Sequence, residues 1–184
     1  MQLCIANNGK TIKIIIMTTK TGSLNFQSQY IRKGPTVIRT LTLSTLYSGL
    51  LDASAGALVY LIFKGLNPIQ VLQYIASGIY GEAAFPGGLL TAGVGLILHF
   101  VVAFAFAAGF FIVYPSVKLL SKNIWVTGLL YGLFSWLVMN LLVLPNSNVA
   151  KAPFNFISVL EVIWHMALVG LPIAILTKRH FSNI

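Results

Sequence analysis

Four stretches of this 184-residue chain, 41–63, 91–114, 124–144 and 157–177, are long, apolar and free of lysine and arginine. Roughly 20 apolar residues in helical form cross the hydrocarbon core of a bilayer, and each stretch meets that length. No other feature restricts the fold as strongly. Hydrocarbon offers the backbone no hydrogen-bonding partner, so a segment entering it must satisfy its own peptide groups, as a helix does. Composition agrees: the AVILMFWYC set makes up 57% of the chain and charged residues only 8%, against about 25% in a soluble domain. Too little polar surface remains to wet a globule. The expected fold is all-α, an integral membrane four-helix bundle formed by residues 36–180 as one domain. A polar, basic, flexible leader (1–35) precedes it and a short tail (181–184) follows.

A net charge of +9 would suit nucleic acid, but the basic residues lie between the apolar runs rather than along one face, so nucleic acid is not an expected partner. Ten of the twelve Lys and Arg fall in alternate segments: the leader with Arg39, the 115–123 loop (Lys118, Lys122) and the tail (Lys178, Arg179). Lys64 and Lys151 hold the other side. This bias predicts a multi-pass membrane protein with both termini cytoplasmic. The start, "MQLCIANNGKTIKIIIMTTK", has too short an apolar stretch for a signal peptide, whose central region takes roughly 7–15 residues. Met17 is a second candidate start beside Met1. The single Cys4 leaves no internal disulfide and no cysteine-based zinc cluster.

Local signals place the helix ends. Pro35 suits a first helical turn, Asn123 suits a cap for the third span, and Asn67-Pro68 is a helix-start pair. The stretch "NPIQVLQYIASGIYG" predicts a short amphipathic helix in the first outer loop. Ile69, Leu72, Ala76 and Ile79 fall on one face and Gln70, Gln73, Tyr74 and Ser77 on the other, a pattern that would lie in the outer interface or fold back over the bundle. "YSGLLD" echoes "YGLFSW", and "LILHFVVAF" echoes "EVIWHMALV". Such a two-span repeat would set His99 opposite His165.

Five polar residues fall inside the spans: Asp52, His99, Asn140, Glu161 and His165. An ionisable group at mid-bilayer costs about 2.5–3.5 kcal/mol on insertion scales, so it normally faces protein or water. Counted from the outer end of each span, Asn140 and Glu161 are four residues in, His99 and His165 eight, and Asp52 eleven. All five therefore share the outer half. Glu161 and His165 lie one turn apart on one helix face. The stripe Thr45, Ser48, Gly49, Asp52, Gly56 and the pair Gly95 and Ala103 around His99 should face the bundle axis, because small residues let helices approach closely in lipid. One buried network is expected, with the histidines as donors, the carboxylates as acceptors and Asn140 bridging at the rim. Pro172 should free a carbonyl near Leu168 and bend the last span.

Such a network could handle protons or a small polar ligand, since histidine beside carboxylates titrates near physiological pH. In the alternative, the chain is a non-catalytic subunit or assembly partner of a larger membrane complex, its polar residues serving as packing glue at about 0.6 kcal/mol per interhelical bond. A metal site, with His99, Glu161 and His165 as ligands, is not expected, since no clustered histidine pattern supports it. No cofactor motif is present, and no nucleophile-and-base pattern points to an enzyme. The partners implied are the bilayer itself and, for so small a bundle, a further copy or a membrane complex. Trp125, Trp136 and Trp164 are read as interfacial anchors or core.

The runs "GLILHFVVAFAFAAGFFIVYPSVKLL", "GLLYGLFSWLVMN" and "VLEVIWHMALVG" together resemble the uncharacterised small bacterial inner-membrane proteins grouped as YagU-like. His99 early in the second span, Tyr114-Pro115 at its inner end and the Glu161/His165 pair carry the likeness, over residues 41 to 180. The resemblance implies a multi-span plasma-membrane protein of unestablished molecular activity.

Overall fold

The structure is a computed structural model that describes residues 35–150 and 154–182 in full and the backbone of 2–7, 11–20 and 23–32. Met1, Lys10, Lys33, Lys151 and the last two residues of the tail, all used in the readings above, lie outside the described residues. Where a flexible leader of an all-α chain is expected lie three strands, β1 (Gln2–Asn7), β2 (Thr11–Lys20) and β3 (Ser23–Arg32), paired antiparallel in the order β1-β2-β3. Gln2 stands opposite Met17, and Thr11 opposite Arg32. The β2 sequence TIKIIIMTTK is dense in β-branched residues, whose stiff side chains suit a strand.

From residue 35 onward the described chain is helical with connecting turns, as expected. Its helices are α1 (Val37–Lys64), α2 (Pro68–Tyr80), α3 (Gly88–Val113), the single turn α4 (Leu119–Lys122), α5 (Ile124–Val138), α6 (Phe156–Trp164) and α7 (Leu171–Phe181). Four helical stretches, Val37–Lys64, Pro68–Ser116, Ile124–Asn146 and Phe156–Phe181, are long and apolar enough to cross a membrane. The first begins after Pro35 rather than with it. Thr36 is the cap, its hydroxyl accepting from the Arg39 N–H at 3.3 Å. Gly65, at φ 67°, ends α1 in the left-handed conformation that glycine adopts without strain. Asn123 caps α5 as expected, accepting from the Trp125 and Val126 N–H groups.

The last span is not one regular helix. Between α6 and α7 the backbone widens into a π-helical segment, His165–Gly170, which ends just before Pro172. Proline lacks the N–H that would bond Leu168, and a widened turn is one way a helix absorbs that loss. A second π turn, Met139–Val143, follows α5 and passes through Asn140.

Close backbone approach joins α5 to the last span. A Cβ on Gly132 would strike the His165 carbonyl and the Met166 Cα, and one on Gly170 would strike the Gly128 carbonyl. Spaced four apart on α5, Gly128 and Gly132 thus bring this helix against the His165–Gly170 segment, a small-xxx-small contact of the kind that joins helices in lipid. Polar groups turn inward: Thr40, Ser44, Ser48, Ser135, Thr177 and His180 are all buried. Large apolar groups turn outward, with Leu90 81%, Ile112 71% and Leu141 71% exposed. Beside a buried apolar cluster of Ala107, Phe110, Tyr114, Val169, Ile173 and Ala174, this outward apolar surface suits a hydrocarbon solvent.

The short helix expected after the first span is present as α2 and packs back on the bundle, one of its two expected placements. Its buried residues are Gln73, Ala76 and Ser77, whereas Ile69 and Ile79 are exposed. The helix packs against α3, where Gly95 leaves room for the Leu72 carbonyl. Gln73 Nε2 donates to the Phe85 and Gly88 carbonyls at 3.0 and 3.1 Å. Where lipid is the surroundings, the amide goes to protein and the isoleucines go outward. The start of α2 is a full capping box: Asn67 Oδ1 accepts from the Gln70 N–H, and Gln70 Oε1 accepts from the Asn67 N–H. Asn67→Ala is expected to cost about 0.5–2 kcal/mol, read as a lowered thermal unfolding midpoint in detergent with no change in oligomeric state.

Candidate functional site

A cavity of about 410 Å³ opens between α1, α2, α3, α5 and the α6–His165 region, and Asp52, His99, Asn140, Glu161 and His165 all line it. The five residues expected to meet do therefore share one space. Their pairing differs from the expected one.

Asp52 is the hub. Its Oδ1 accepts from Trp164 Nε1 at 2.8 Å and lies 3.7 Å from His165 Nε2, while its Oδ2 lies 4.0 Å from His99 Nδ1. These side chains are only 11–21% exposed. Each histidine is fixed through its other nitrogen. His99 Nε2 is 2.8 Å from the Gly49 carbonyl, and His165 Nδ1 is 2.8 Å from the Glu161 carbonyl. A carbonyl only accepts, so those two nitrogens carry the hydrogens. In the neutral rings, the nitrogens turned toward Asp52 are then the bare ones. Lone pairs face a carboxylate from both sides, at 3.7 and 4.0 Å, beyond hydrogen-bond length.

Glu161 does not pair with His165 through its carboxylate. Tyr60 donates to its Oε1 at 2.8 Å and Trp136 Nε1 approaches its Oε2 at 3.5 Å. The one-turn spacing of Glu161 and His165 instead joins the imidazole to a backbone oxygen. Asn140 does not bridge to the carboxylates. Its Nδ2 donates to the Trp136 carbonyl of its own helix at 3.0 Å. Among the described residues, no group of three His, Cys, Asp or Glu side chains stands close enough to hold a metal ion. The Glu161 carboxylate is held by Tyr60 and Trp136.

Two tryptophans read as anchors or core belong to the site. Only Trp125, 61% exposed, faces outward as an anchor would, whereas Trp136 is 8% exposed. The signal was in the sequence. A buried indole N–H needs an acceptor, and Asp52 and Glu161 are the two carboxylates the spans contain. His180 also escaped the sequence reading because it follows Lys178-Arg179. It is 4% exposed, bonded to Thr40 Oγ1 at 3.0 Å and set edge-on to Phe111.

The small-residue stripe of α1 divides in two. Thr45, Ser48 and Gly49 are buried, and a Cβ on Gly49 would press on the Phe100 ring and approach Ala103 of α3. Gly56, two turns beyond Gly49, lines the cavity and has open space beside it. The tight contact at Gly49 and the open space at Gly56 both border the cavity. Compared with protein-family models, curated proteins and solved structures, the chain matches none.

Proposed function

We propose that the chain is a multi-pass membrane protein whose intramembrane cavity takes up and releases protons at the Asp52–His99–His165 cluster, together with a small polar ligand. One observation carries this reading: two histidines, each pinned by a backbone carbonyl, turn their remaining nitrogens to one carboxylate at 4.0 and 3.7 Å. A group meant only as packing glue would have its hydrogen bonds completed by its neighbours. Here neither imidazole nitrogen that faces Asp52 lies within hydrogen-bond distance of it. The π-helical segment beginning at His165 supports the same reading, since such bulges frequently sit at functional sites. The charge bias of the loops supports a plasma-membrane location with cytoplasmic termini. The YagU-like resemblance, resting on its quoted motifs, agrees with that address.

The test is pH-driven proton uptake into vesicles reconstituted with the pure protein. Wild type is expected to equilibrate an imposed pH gradient faster than empty vesicles, and a His99→Ala/His165→Ala double variant is expected to lose at least nine-tenths of that excess. Wild-type vesicles no faster than empty ones, or a double variant as fast as wild type, would leave the subunit reading in its place.

A further inference from the structure

We propose that the cavity binds an organic cation, an ammonium or onium group carried on an apolar body. This rests on the reading of the cavity as a proton and ligand site, and it adds the ligand's class. About 410 Å³ of space lies within the roughly 300–1,000 Å³ typical of small-molecule sites. Most of the wall is hydrocarbon, from residues such as Leu72, Ile75, Leu96 and Val102. A wholly polar solute would leave that surface unmatched.

The charge of the wall has one sign. Asp52 and Glu161 both line the cavity, and among the described residues no lysine or arginine does. The groups bonded to the carboxylates, Tyr60, Trp136 and Trp164, are neutral donors. They hold the carboxylates in place without cancelling their charge. An ionised carboxylate offers about four lone-pair positions, and Glu161 has two contacts. An anion would be repelled, and a neutral apolar guest would leave two ions facing hydrocarbon, a costly arrangement. A cation satisfies both. Asp52 adds to this, because the neutral histidines beside it present acceptors rather than donors. Tyr60, Tyr74, Trp164 and Phe106 supply aromatic rings to the same wall, and ring faces attract cations within about 6 Å.

Binding is tested on the purified full chain in detergent with two ions of like shape and opposite charge, tetraphenylphosphonium and tetraphenylborate. Equilibrium dialysis should show saturable binding of the phosphonium at one per chain and no saturable binding of the borate. Glu161→Gln should weaken the phosphonium at least tenfold. Gly56→Trp fills space beside the wall where a Cβ meets no atom within 4 Å. It should weaken binding at least tenfold, with both carboxylates kept and the unfolding midpoint unchanged. Equal binding of the borate, no saturable phosphonium binding by wild type, or undiminished binding in both variants would overturn the proposal. Loss of proton uptake in the double histidine variant without phosphonium binding removes the cation alone. Phosphonium binding with proton uptake unaffected by that variant removes the proton reading alone.

Discussion

Gly132→Leu is expected to abolish the assembled bundle or leave it severely weakened. The added side chain would not meet the flexible end of a neighbour. It would meet the His165 carbonyl and the Met166 Cα, both backbone, at the crossing of α5 with the π-helical segment. Overpacking a tight site costs about 1–3 kcal/mol and occasionally more, and backbone on the receiving side places this substitution at the upper end. At roughly 2–4 °C per kcal/mol for a chain of this size, the unfolding midpoint should fall by roughly 6–12 °C, or no monodisperse protein should be recovered. Gly93→Leu serves as the comparison, since its Cβ would meet nothing within 4 Å. It should fall within a degree or two of wild type. Equal stability of the two variants would mean that the α5 crossing is looser than drawn here.

Asp52→Asn and Asp52→Ala are expected to part company, and the separation decides between a proton site and packing glue. Asparagine keeps an oxygen for Trp164 Nε1, now 2.8 Å from Oδ1. It also brings an N–H₂ that can donate to a bare histidine nitrogen, so the cluster is satisfied without an added proton. Stability should therefore hold or rise slightly. Proton uptake in vesicles should fall at least tenfold, because the group that draws the proton has gone. Alanine removes the acceptor and leaves the Trp164 N–H unpaired and part-buried, at about 1–3 kcal/mol, so this variant should be both less stable and inactive. Packing glue predicts a different pattern: asparagine would match wild type in every respect. An asparagine variant with full proton uptake would remove Asp52 from the proposed role.

Gly132 and Asp52 mark how far the sequence could be read. Long runs without Lys or Arg force helices because hydrocarbon supplies no hydrogen-bond partner, and that constraint is visible residue by residue. Helix ends were legible where a side chain satisfies its own local backbone, as at Asn67 and Asn123. The membership of the cavity was legible too. Asp52, His99, Asn140, Glu161 and His165 are scarce polar groups in apolar runs, and each had to face away from lipid.

Which carboxylate meets which histidine was beyond the sequence. The spacing of Glu161 and His165 puts them on one face, yet a helix places a side chain equally near the carbonyl one turn back. That oxygen took the Nδ1 hydrogen, and the carboxylate went to Tyr60 and Trp136 from other helices. Asp52 became the hub because the glycines of α1, α3 and α5 fix how those helices approach, and helix approach is set by many weak contacts summed across distant parts of the chain. The facing of α2 has the same origin. Its polarity pattern was plain in the sequence, but whether protein or lipid lies on either side is decided only when α3 packs against it. Solvent and backbone chemistry act locally and can be read along one strand of letters; partner choice depends on tertiary distances that no single segment contains.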